Sequence, residues 1–329
     1  MVRVVCLLLS LSLVGCSNPA HPRPLPTRSS AAQAVQLWQD ANIFSLVEDL
    51  IASARVRVMV EMYELGRADI LRELGEAENR GVKVRVIIDP TVIGNRHSAA
   101  VLDSLGVPER VYPVDDSRHQ IDHVKLLIVD DEAAIGGMNW GRHSDHNHDY
   151  VLETHVGFDV RRVVSIFEQD WSLAGGHPSP LPANVGEVAQ TTPGAEIRAM
   201  LQAALIQAKR RVLAEVYTLT DPEVIAEIVE AHRRGATVRV LLDPHQAYNQ
   251  HAYELLRAGA VDVRWYPIPR DAKLHAKIGL FDSELVLGSA NWTLSGLGVN
   301  HELNIRTEDS GAVEAYAARF AADWSKAGG

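Results

Sequence analysis

A histidine and a lysine separated by one residue occur twice in this sequence, as His123-Val-Lys125 and His275-Ala-Lys277. In a β-strand, residues i and i+2 project from the same face roughly 6.6 Å apart, so each histidine would point the same way as its lysine. The neighbouring residues are apolar, and an ammonium group buried among them needs an anionic partner. A phosphate group fits, because its oxygens bind lysine and its phosphorus is open to attack by an imidazole.

Two asparagines follow the His-x-Lys motifs, at the predicted ends of the returning strands. Their amides can donate further hydrogen bonds to phosphate oxygens. If the two halves of the chain meet about a pseudo-two-fold axis, two histidines, two lysines and two asparagines converge on one pocket. The residue types then predict a phosphotransfer site with six candidate catalytic residues: His123, Lys125, Asn139, His275, Lys277 and Asn291.

The motifs belong to an internal duplication that extends over most of the chain. The matching segments are residues 57–65 with 211–219, 80–90 with 234–244, 123–130 with 275–282, 136–140 with 288–292, and 167–171 with 320–324. The offset between the copies stays between 152 and 154 residues throughout. A register shared over that distance indicates two structural repeats rather than chance similarity.

Each copy alternates strand-like and helix-like patterns. Residues 56–62 and 82–88 are nearly continuous apolar runs, and an amphipathic helical pattern that ends at Gly81 separates them. This order predicts a βαβ unit with a buried parallel strand pair. Each copy then adds a strand, a tight turn and a returning strand. We therefore predict an α/β fold, in which Asp130 and Asp282 shape the two turns rather than take part in chemistry.

The doubled pattern H-x-K-x4-D, followed each time by a glycine-containing segment that ends in asparagine, resembles the signature of the phospholipase D superfamily. The resemblance implies a mixed α/β sandwich of αβαβ type, with two pseudo-two-fold-related repeats that form one active site at their interface. It also implies that one histidine attacks phosphorus to form a phosphohistidine. The other histidine would protonate the leaving alcohol and then activate water or an acceptor alcohol. The resemblance further implies that His123 is the nucleophile and that the lysines and asparagines hold the phosphoryl oxygens.

One segment departs from the superfamily signature. The second copy carries Ser289 in a Gly-Ser-Ala-Asn segment, whereas the first carries Gly137 in a Gly-Gly-Met-Asn segment and lacks the hydroxyl. The Gly-Gly-x-Asn variant is similar to bacterial cardiolipin synthases, as are the Phe-x-x-Asp-Trp segments that close each copy. Phosphatidyl transfer therefore stays open beside hydrolysis.

Four further acids recur in the two copies. The resemblance implies that Asp149 and Glu302 hydrogen-bond the catalytic imidazoles and fix their tautomers, as the third member of a catalytic triad does. Glu61 and Glu215 lie within apolar strands, where an acid is costly unless it is paired. We expect them to form a structural ion pair or hydrogen bond, with a place on the pocket floor as the alternative.

Residues 142–149 contain three histidines and two aspartates, a composition that could indicate a metal-binding loop. However, residues 147–149 align with residues 300–302, so the duplication explains half of the pattern. We therefore expect no metal site, and the resemblance implies no cofactor. Three more histidines follow the Asp-Pro pairs and are expected to be solvated: His97, His245 and His251.

The first 33 residues are typical of an export signal followed by a spacer. Residues 1–15 combine Arg3 with a short apolar run, which favours a secretory signal peptide over a transmembrane helix. Residues 13–16 resemble a bacterial lipobox, so Cys16 is predicted to be lipidated. Residues 16–33 carry four prolines and are predicted to form a stalk. We expect a lipid-anchored, extracytoplasmic protein of the cell envelope, on either the inner or the outer membrane.

A segment rich in proline and glycine at residues 174–194 is predicted to link repeat 1 (residues 34–173) to repeat 2 (residues 195–329). The net charge of −10 argues against a chain that coats nucleic acid without sequence preference. Only Cys6 and Cys16 are cysteines, which excludes a cysteine-based zinc site. Because the duplication supplies both halves of the site, a monomer is sufficient for activity.

These features predict a phospholipase D-type phosphodiesterase that hydrolyses phospholipid headgroups through a phosphohistidine. Its partners would be a phospholipid or other phosphodiester substrate, and the membrane that holds the lipid anchor. Two alternatives stay open: phosphatidyl transfer to an alcohol, and metal-independent endonuclease activity, for which nucleic acid is a less favoured partner. A non-catalytic phosphate-binding relic is disfavoured because both motifs are intact.

Overall fold

The computed structural model describes residues 34–178, 180–181, 186–192 and 194–327. The expected signal peptide, the stalk and the lipidation site Cys16 lie outside these residues. Two α/β repeats make up the described chain, and each contains one seven-stranded sheet. None of the helices in the described segments has the length and continuous apolar character needed to cross a bilayer.

Repeat 1 alternates strands and helices before it closes with a long helix. Its strands are β1 (Val35–Gln39), β2 (Arg57–Met62), β3 (Lys83–Ile88), β4 (Glu109–Val111), β5 (Lys125–Val129), β6 (Glu132–Gly136) and β7 (Tyr150–Thr154). Its helices are α1 (Asn42–Ser53), α2 (Ala68–Asn79), α3 (Asn95–Ser104) and α4 (Gly157–Ala174). The spatial order of the strands is β1-β7-β6-β5-β2-β3-β4.

Repeat 2 reproduces this arrangement and adds a short helix after its sixth strand. Its strands are β8 (Val188–Gln190), β9 (Arg211–Val216), β10 (Thr237–Leu242), β11 (Asp262–Trp265), β12 (Lys277–Phe281), β13 (Glu284–Gly288) and β14 (Leu303–Thr307). Its helices are α5 (Glu196–Gln207), α6 (Pro222–Arg233), α7 (Asn249–Ala258), α8 (Leu294–Gly298) and α9 (Ser310–Lys326). The strand order β8-β14-β13-β12-β9-β10-β11 matches that of repeat 1 position by position.

Apolar residues from both sheets pack into one shared core. Leu126 and Ile128 of β5 belong to the same buried cluster as Ile278 and Leu280 of β12. Helices α4 and α9 add apolar side chains to this cluster, while α1–α3 and α5–α7 cover the outer faces of the two sheets. The layers are thus helices, sheet, shared core, sheet and helices. This arrangement confirms the predicted α/β sandwich of two repeats.

The predicted strand positions of the motif residues are partly wrong. Strand β5 begins at Lys125, so His123 lies in the extended segment before it, and β12 likewise begins at Lys277. Strand β6 ends at Gly136, which leaves Asn139 in the loop that follows rather than on the strand. The reason is tertiary: the segment before each motif lysine also forms a bridge with the other repeat, in addition to its hydrogen bond with Tyr63 or Tyr217 of its own repeat.

Asp130 and Asp282 each occupy the tight turn after the motif strand. Both have positive φ angles, 49° and 55°, a conformation that aspartate tolerates better than most residues. The carboxylate of Asp130 accepts hydrogen bonds from the amides of residues 55–57, and that of Asp282 does so from residues 209–211, at 2.8–3.0 Å. Each aspartate therefore also fixes the chain where it enters the neighbouring strand, β2 or β9.

Candidate active site

Main-chain hydrogen bonds between the repeats position both motif histidines. His123 donates its amide to the carbonyl of His301 at 2.8 Å. Symmetrically, His275 donates its amide to the carbonyl of His148 at 2.8 Å. Each His-x-Lys motif is thus held by the Asn-His-acid segment of the opposite repeat.

The acids that follow these histidines reach across the same interface. Glu302 Oε2 lies 2.8 Å from Nδ1 of His123, and Asp149 Oδ2 lies 2.7 Å from Nδ1 of His275. A carboxylate at Nδ1 favours the tautomer whose proton is on that nitrogen, and so directs the lone pair of Nε2 away from the acid. Each repeat therefore supplies the acid that orients the imidazole of the other repeat.

The two acids have unequal surroundings. Glu302 accepts hydrogen bonds from the Ser289 hydroxyl at 2.6 Å and from the side-chain amide Nδ2 of Asn300 at 3.1 Å. Asp149 accepts a hydrogen bond from the main-chain amide of Tyr150 at 2.8 Å. In repeat 1, Gly137 occupies the position that Ser289 has in repeat 2. A Cβ atom on Gly137 would lie 2.4 Å from Asp149 Oδ1, so the missing side chain makes room for the shorter acid.

This inequality changes the protonation of the two acids. Burial raises the pKa of Asp149 to about 7, although Lys277 opposes the shift. Burial alone would raise the pKa of Glu302, but the adjacent His123 imidazole, together with Lys125 and Ser289, holds it below the usual value. Glu302 is therefore a fixed anion near neutral pH, whereas Asp149 can gain or lose a proton there.

The motif lysines are buried against tyrosine rings. The ammonium groups of Lys125 and Lys277 lie 4.9 and 5.0 Å from the ring centroids of Tyr63 and Tyr217. Lys125 Nζ donates to the carbonyl of His123 at 2.6 Å, and Lys277 Nζ donates to the carbonyl of His275. Burial lowers the pKa of Lys125 to about 7 and that of Lys277 to about 8. A bound anion would favour their charged forms.

Both motif imidazoles have lowered pKa values, which a bound anion would raise. Burial lowers the pKa of His123 to about 4, with Glu302 opposing the shift and Lys125 adding to it. Burial, followed by Lys277 and Lys125, holds the pKa of His275 well below its usual value. Because the two lysines adjoin the two imidazoles, a phosphodiester bound between them would reduce the positive potential and make imidazole protonation easier.

The asparagines lie in the loops after β6 and β13. Asn139 Nδ2 is 3.3 Å from Glu64 Oε2. The side-chain oxygens of Asn139 and Asn291 are buried and make no hydrogen bond within the described residues. These oxygens are acceptors, so only the Nδ2 groups could donate to a phosphate, and that role of the asparagines stays a prediction.

Two aspartates support the site although the motif pattern gives them no role. Asp89 Oδ2 accepts the amide of Asp122 at 2.7 Å, and Asp243 Oδ2 accepts the amide of Leu274 at 2.7 Å. Each bond fixes the residue immediately before a motif histidine. The duplicated Asp-Pro pair in the sequence was the available signal, but a contact between distant loops cannot be derived from it.

Tyr63 and Tyr217 also belong to the site, as the structure shows and the motifs do not. Their rings lie beside the imidazoles of His123 and His275, with centroid separations of 4.7 and 4.8 Å. Both tyrosines occur within the duplicated strand segments, so their repetition in the sequence was a signal without a chemical motif.

Glu61 and Glu215 lie behind the catalytic histidines and contact a second pair of buried histidines. Glu215 Oε2 is 3.2 Å from His148 Nε2, and Glu61 Oε1 is 3.5 Å from His301 Nε2. Glu215 is hydrogen-bonded to His148 and Tyr150, whereas neither carboxylate oxygen of Glu61 has a hydrogen-bond partner within the described residues. The structural role expected for the two acids stays a prediction.

The histidine-rich loop divides between solvent and interior. His143 and His146 are exposed, with ring centroids 6.3 Å apart, whereas His148 is buried in the repeat interface. The three imidazoles therefore do not converge. The loop histidines that follow the Asp-Pro pairs are exposed: His97, His245 and His251.

Comparisons with known proteins agree with this geometry. The family model described as "Cardiolipin synthase, PLD-like domain" matches residues 47–171 and 201–324. The mitochondrial cardiolipin hydrolase of Xenopus tropicalis is 31% identical over 124 residues, which covers 37% of this chain and 58% of that protein. The probable cardiolipin synthase YwiE of Bacillus subtilis is 22% identical over 231 residues, which covers 61% of this chain and 45% of that protein.

Solved structures share the arrangement of both repeats. The phosphatidylserine synthase of Haemophilus influenzae superimposes with a TM-score of 0.70 at 12% identity, over 89% of this chain and 86% of that one. The polyphosphate kinase of Porphyromonas gingivalis superimposes with a TM-score of 0.65 at 15% identity, over 87% of this chain and 46% of that one. At these identities the likeness concerns the fold alone. The chain spans about half the length of the curated relatives that it matches.

Proposed function

This chain belongs to the family of cardiolipin synthase, PLD-like domains within the phospholipase D superfamily, and from that premise we propose that it hydrolyses phospholipid headgroups through a phosphohistidine. The observation that carries the proposal is the pair of crossed contacts between acid and imidazole, Glu302 with His123 and Asp149 with His275. Two buried lysines adjoin them. This arrangement offers two oriented imidazoles and two cations to one phosphodiester.

In the first step, Nε2 of His123 attacks the phosphorus of the bound phosphodiester. A P–N bond forms, the P–O bond to the headgroup breaks, and the headgroup oxygen takes a proton from Nε2 of His275. Lys125 and Lys277 balance the charge of the non-bridging oxygens, with Asn139 and Asn291 as further donors. The products of this step are the free headgroup alcohol and a phosphatidyl group on His123.

In the second step, His275 accepts a proton from water as the water oxygen attacks phosphorus. The P–N bond to His123 breaks, and phosphatidic acid leaves. His275 is then protonated again and ready for the next cycle. The same histidine serves as acid and then as base, so no further proton donor is needed.

The unequal acids support this division of roles. Glu302 is held as an anion by Ser289 and His123, and a fixed anion at Nδ1 makes Nε2 of His123 a better nucleophile and stabilises the phosphohistidine. Asp149 has a pKa raised by burial to about 7, so its pair with His275 can hold or release a proton near neutral pH. His123 is therefore the proposed nucleophile and His275 the proposed acid and base.

A lipid substrate is supported by the relatives, which include cardiolipin hydrolases and probable cardiolipin synthases. The expected lipid anchor at Cys16 would hold the site close to a membrane and place the protein in the cell envelope. The net charge of −10 does not favour a polyanion such as DNA as the general substrate.

Phosphatidyl transfer is the second candidate function. It is supported by Gly137 in its Gly-Gly-x-Asn segment and by the matches to cardiolipin synthases, which extend over more of this chain than the matches to the hydrolases. Transfer uses the same phosphohistidine and differs only in the acceptor. An alcohol such as the glycerol end of phosphatidylglycerol would replace water in the second step.

The test uses the full-length chain in detergent and vesicles of labelled phosphatidylglycerol, with a brief addition of EDTA to remove exchangeable ions. His123→Ala and His275→Ala are the active-site variants. His251→Ala is the matched control, because it removes an exposed histidine of helix α7. Phosphatidic acid formed by the wild type and the control, but not by the active-site variants, is the expected result.

Three other results would change the assigned function. Diphosphatidylglycerol as the main product would replace hydrolysis by transfer. Cleavage of DNA with no lipid product would establish the endonuclease alternative. Lipid cleavage that persists in both active-site variants would overturn the proposal.

A further inference from the structure

Two buried clusters of acids and histidine lie behind the catalytic imidazoles, one for each repeat. The first cluster consists of Glu61, Asp122, Asp170 and His301. The second cluster consists of Glu215, Asp323, His148, Asp40 and Arg319. The duplication relates Glu61 to Glu215, Asp170 to Asp323 and His301 to His148, so the clusters share a plan and differ in their remaining members.

The second cluster balances its own charge. His148 places Nδ1 2.6 Å from Asp40 and Nε2 3.2 Å from Glu215, as an imidazolium between two carboxylates would. Arg319 pairs with Asp40 at 2.9 Å and also with Asp323. The hydroxyl of Tyr150 donates to Glu215 at 2.7 Å, and Lys326 adds a cation 3.2 Å from Asp323. The carboxylates of this cluster thus have cationic partners.

The first cluster lacks these partners. Ile166 stands at the position of Arg319, and Leu303 stands at the position of Tyr150. The first cluster also gains an acid, because Asp122 occurs where repeat 2 has Leu274. Three carboxylates therefore surround one imidazole, and in the described part of the chain the ion pairs of Glu61 and Asp170 are with that imidazole alone.

Several oxygens of the first cluster are buried without a hydrogen-bond partner. Glu61, Asp122, Asp170 and His301 are each at most 2% exposed. Both carboxylate oxygens of Glu61 and Oδ2 of Asp122 have no partner within the described residues. Leaving three carboxylate oxygens unsatisfied in the interior is costly, so their presence points to a cation or to protons.

The histidine of the first cluster has the orientation of a metal ligand. Its Nδ1 lies 2.9 Å from the hydroxyl of Thr192, which can accept the ring proton. Nε2 faces the acids and donates its proton to Asp170 Oδ2 at 3.1 Å, with Glu61 Oε1 3.5 Å away. A divalent cation that displaced this proton would be bound by the Nε2 lone pair in the same direction. One ligand atom from each of these three residues lies within 4.8 Å of the other two. His148, by contrast, faces a carboxylate on both nitrogens.

We propose that the first cluster binds one divalent cation of the zinc or manganese class through Glu61, Asp170 and His301, with Asp122 as a further oxygen donor. Two or three carboxylates with one imidazole suit these metals better than calcium or magnesium, which favour oxygen ligands alone. The ion would provide the positive charge that Arg319 provides in the second cluster. A metal at this site would differ from the sequence-based expectation of no metal. The site is separate from the place between the two motif histidines where the phosphoryl group would bind.

The bound ion would have a structural role. Because the cluster is buried, the ion would enter during folding and exchange slowly. It would hold His301, whose carbonyl accepts the amide of His123 and whose neighbour Glu302 orients the His123 ring. The brief EDTA treatment used in the lipid assay would therefore leave it in place.

The test measures metal content in the full chain after it is unfolded in guanidinium with chelator and refolded with zinc or manganese chloride. Glu61→Gln removes one ligand charge at nearly constant shape, and Glu215→Gln is the matched control in the second cluster. We expect about one equivalent of metal in the wild type and in the control, and almost none in Glu61→Gln. Equal metal content in the wild type and Glu61→Gln would assign the ion to another place and overturn the proposal.

Thermal unfolding of the wild type supplies a second readout that does not depend on the variants. Refolding with the metal should raise Tm by roughly 5 °C or more relative to refolding with chelator. If the wild type takes up no metal and its Tm does not change, the first cluster is balanced by protons and the proposal is wrong. Metal content and Tm are both measured without lipid cleavage. The metal proposal can therefore fail while the proposed function holds, and the reverse.

Discussion

The two repeats share a strand order and a His-x-Lys motif, but they differ in what surrounds the acid that each donates to the other. Glu302 is fixed by Ser289 and Asn300, whereas Asp149 faces Gly137 and has a pKa raised by burial to about 7. A duplicated site with identical halves would have to place its two imidazoles in opposite protonation states in the same surroundings. The unequal acids provide that difference.

The same inequality extends to the buried clusters behind the histidines. Arg319 closes the second cluster, while Ile166 occupies its place in the first. The first cluster is left with three acids beside one basic group, His301, which is next to Glu302. The comparison shows that a duplication can keep its backbone frame while charge is redistributed between the halves.

The largest expected effects separate the roles of the two histidines. His123→Ala and His275→Ala should each lower headgroup release from a phospholipid by roughly 10³-fold or more, because each removes a group that acts on the reacting atoms. A p-nitrophenyl phosphodiester needs no acid for its leaving group. His275→Ala should therefore still release a burst of nitrophenol, and His123→Ala should release none. A burst in His123→Ala alone would reverse the assignment of nucleophile and acid.

The next effect concerns the crossed acids. Glu302→Gln and Asp149→Asn should both lower kcat by about 10²- to 10⁴-fold, since an amide no longer favours the reactive tautomer. We expect Glu302→Gln to be the more severe, because its carboxylate is the fixed anion beside the nucleophile. Only Asp149→Asn should alter the pH profile of kcat near pH 7. An unchanged profile in Asp149→Asn would remove the proposed difference between the acids.

The second cluster predicts a pH dependence of stability. Burial alone would lower the pKa of His148, but Glu215 and Asp40 raise it to about 9. A raised pKa stabilises the fold fully below the unfolded value near 6.5, and this contribution is lost as pH rises through about 9. The free energy of unfolding, measured in urea, should therefore fall by on the order of 3 kcal/mol more in the wild type than in His148→Gln. Parallel curves for the two proteins would contradict the assignment.

The smallest expected effect tests the serine that only one repeat has. Ser289→Ala removes a hydroxyl that donates to Glu302 at 2.6 Å and accepts the amide of Leu303 at 3.0 Å. Activity should fall about 3- to 10-fold, as expected for one hydrogen bond to a buried anion. Gly137→Ser should not improve repeat 1, since its Cβ would collide with Asp149. Higher activity in Gly137→Ser would show that the missing hydroxyl is a defect rather than an adaptation.

Much of the fold could be predicted because duplication and periodicity can be recognised in the sequence without knowing any contact between distant residues. The repeat register and the apolar strands predicted two α/β units, and the doubled His-x-Lys motif identified the superfamily. Exact strand limits could not be predicted, because the segment containing His123 bonds to the opposite repeat as well as to its own. Asp89 and Tyr63 were missed for a similar reason, since their contacts with the motif segment join distant parts of the chain.

The sequence by itself determined the residue types that can act on phosphorus, their duplication and the family. Only the tertiary structure decided that the acids cross between repeats, that Glu302 rather than Asp149 has a serine partner in place, and that one buried cluster has unpaired carboxylates. The physical reason is that protonation and charge balance depend on burial and on neighbours a few ångströms away in space. Some of those neighbours come from segments more than 100 residues apart in the chain, such as Glu302 beside His123.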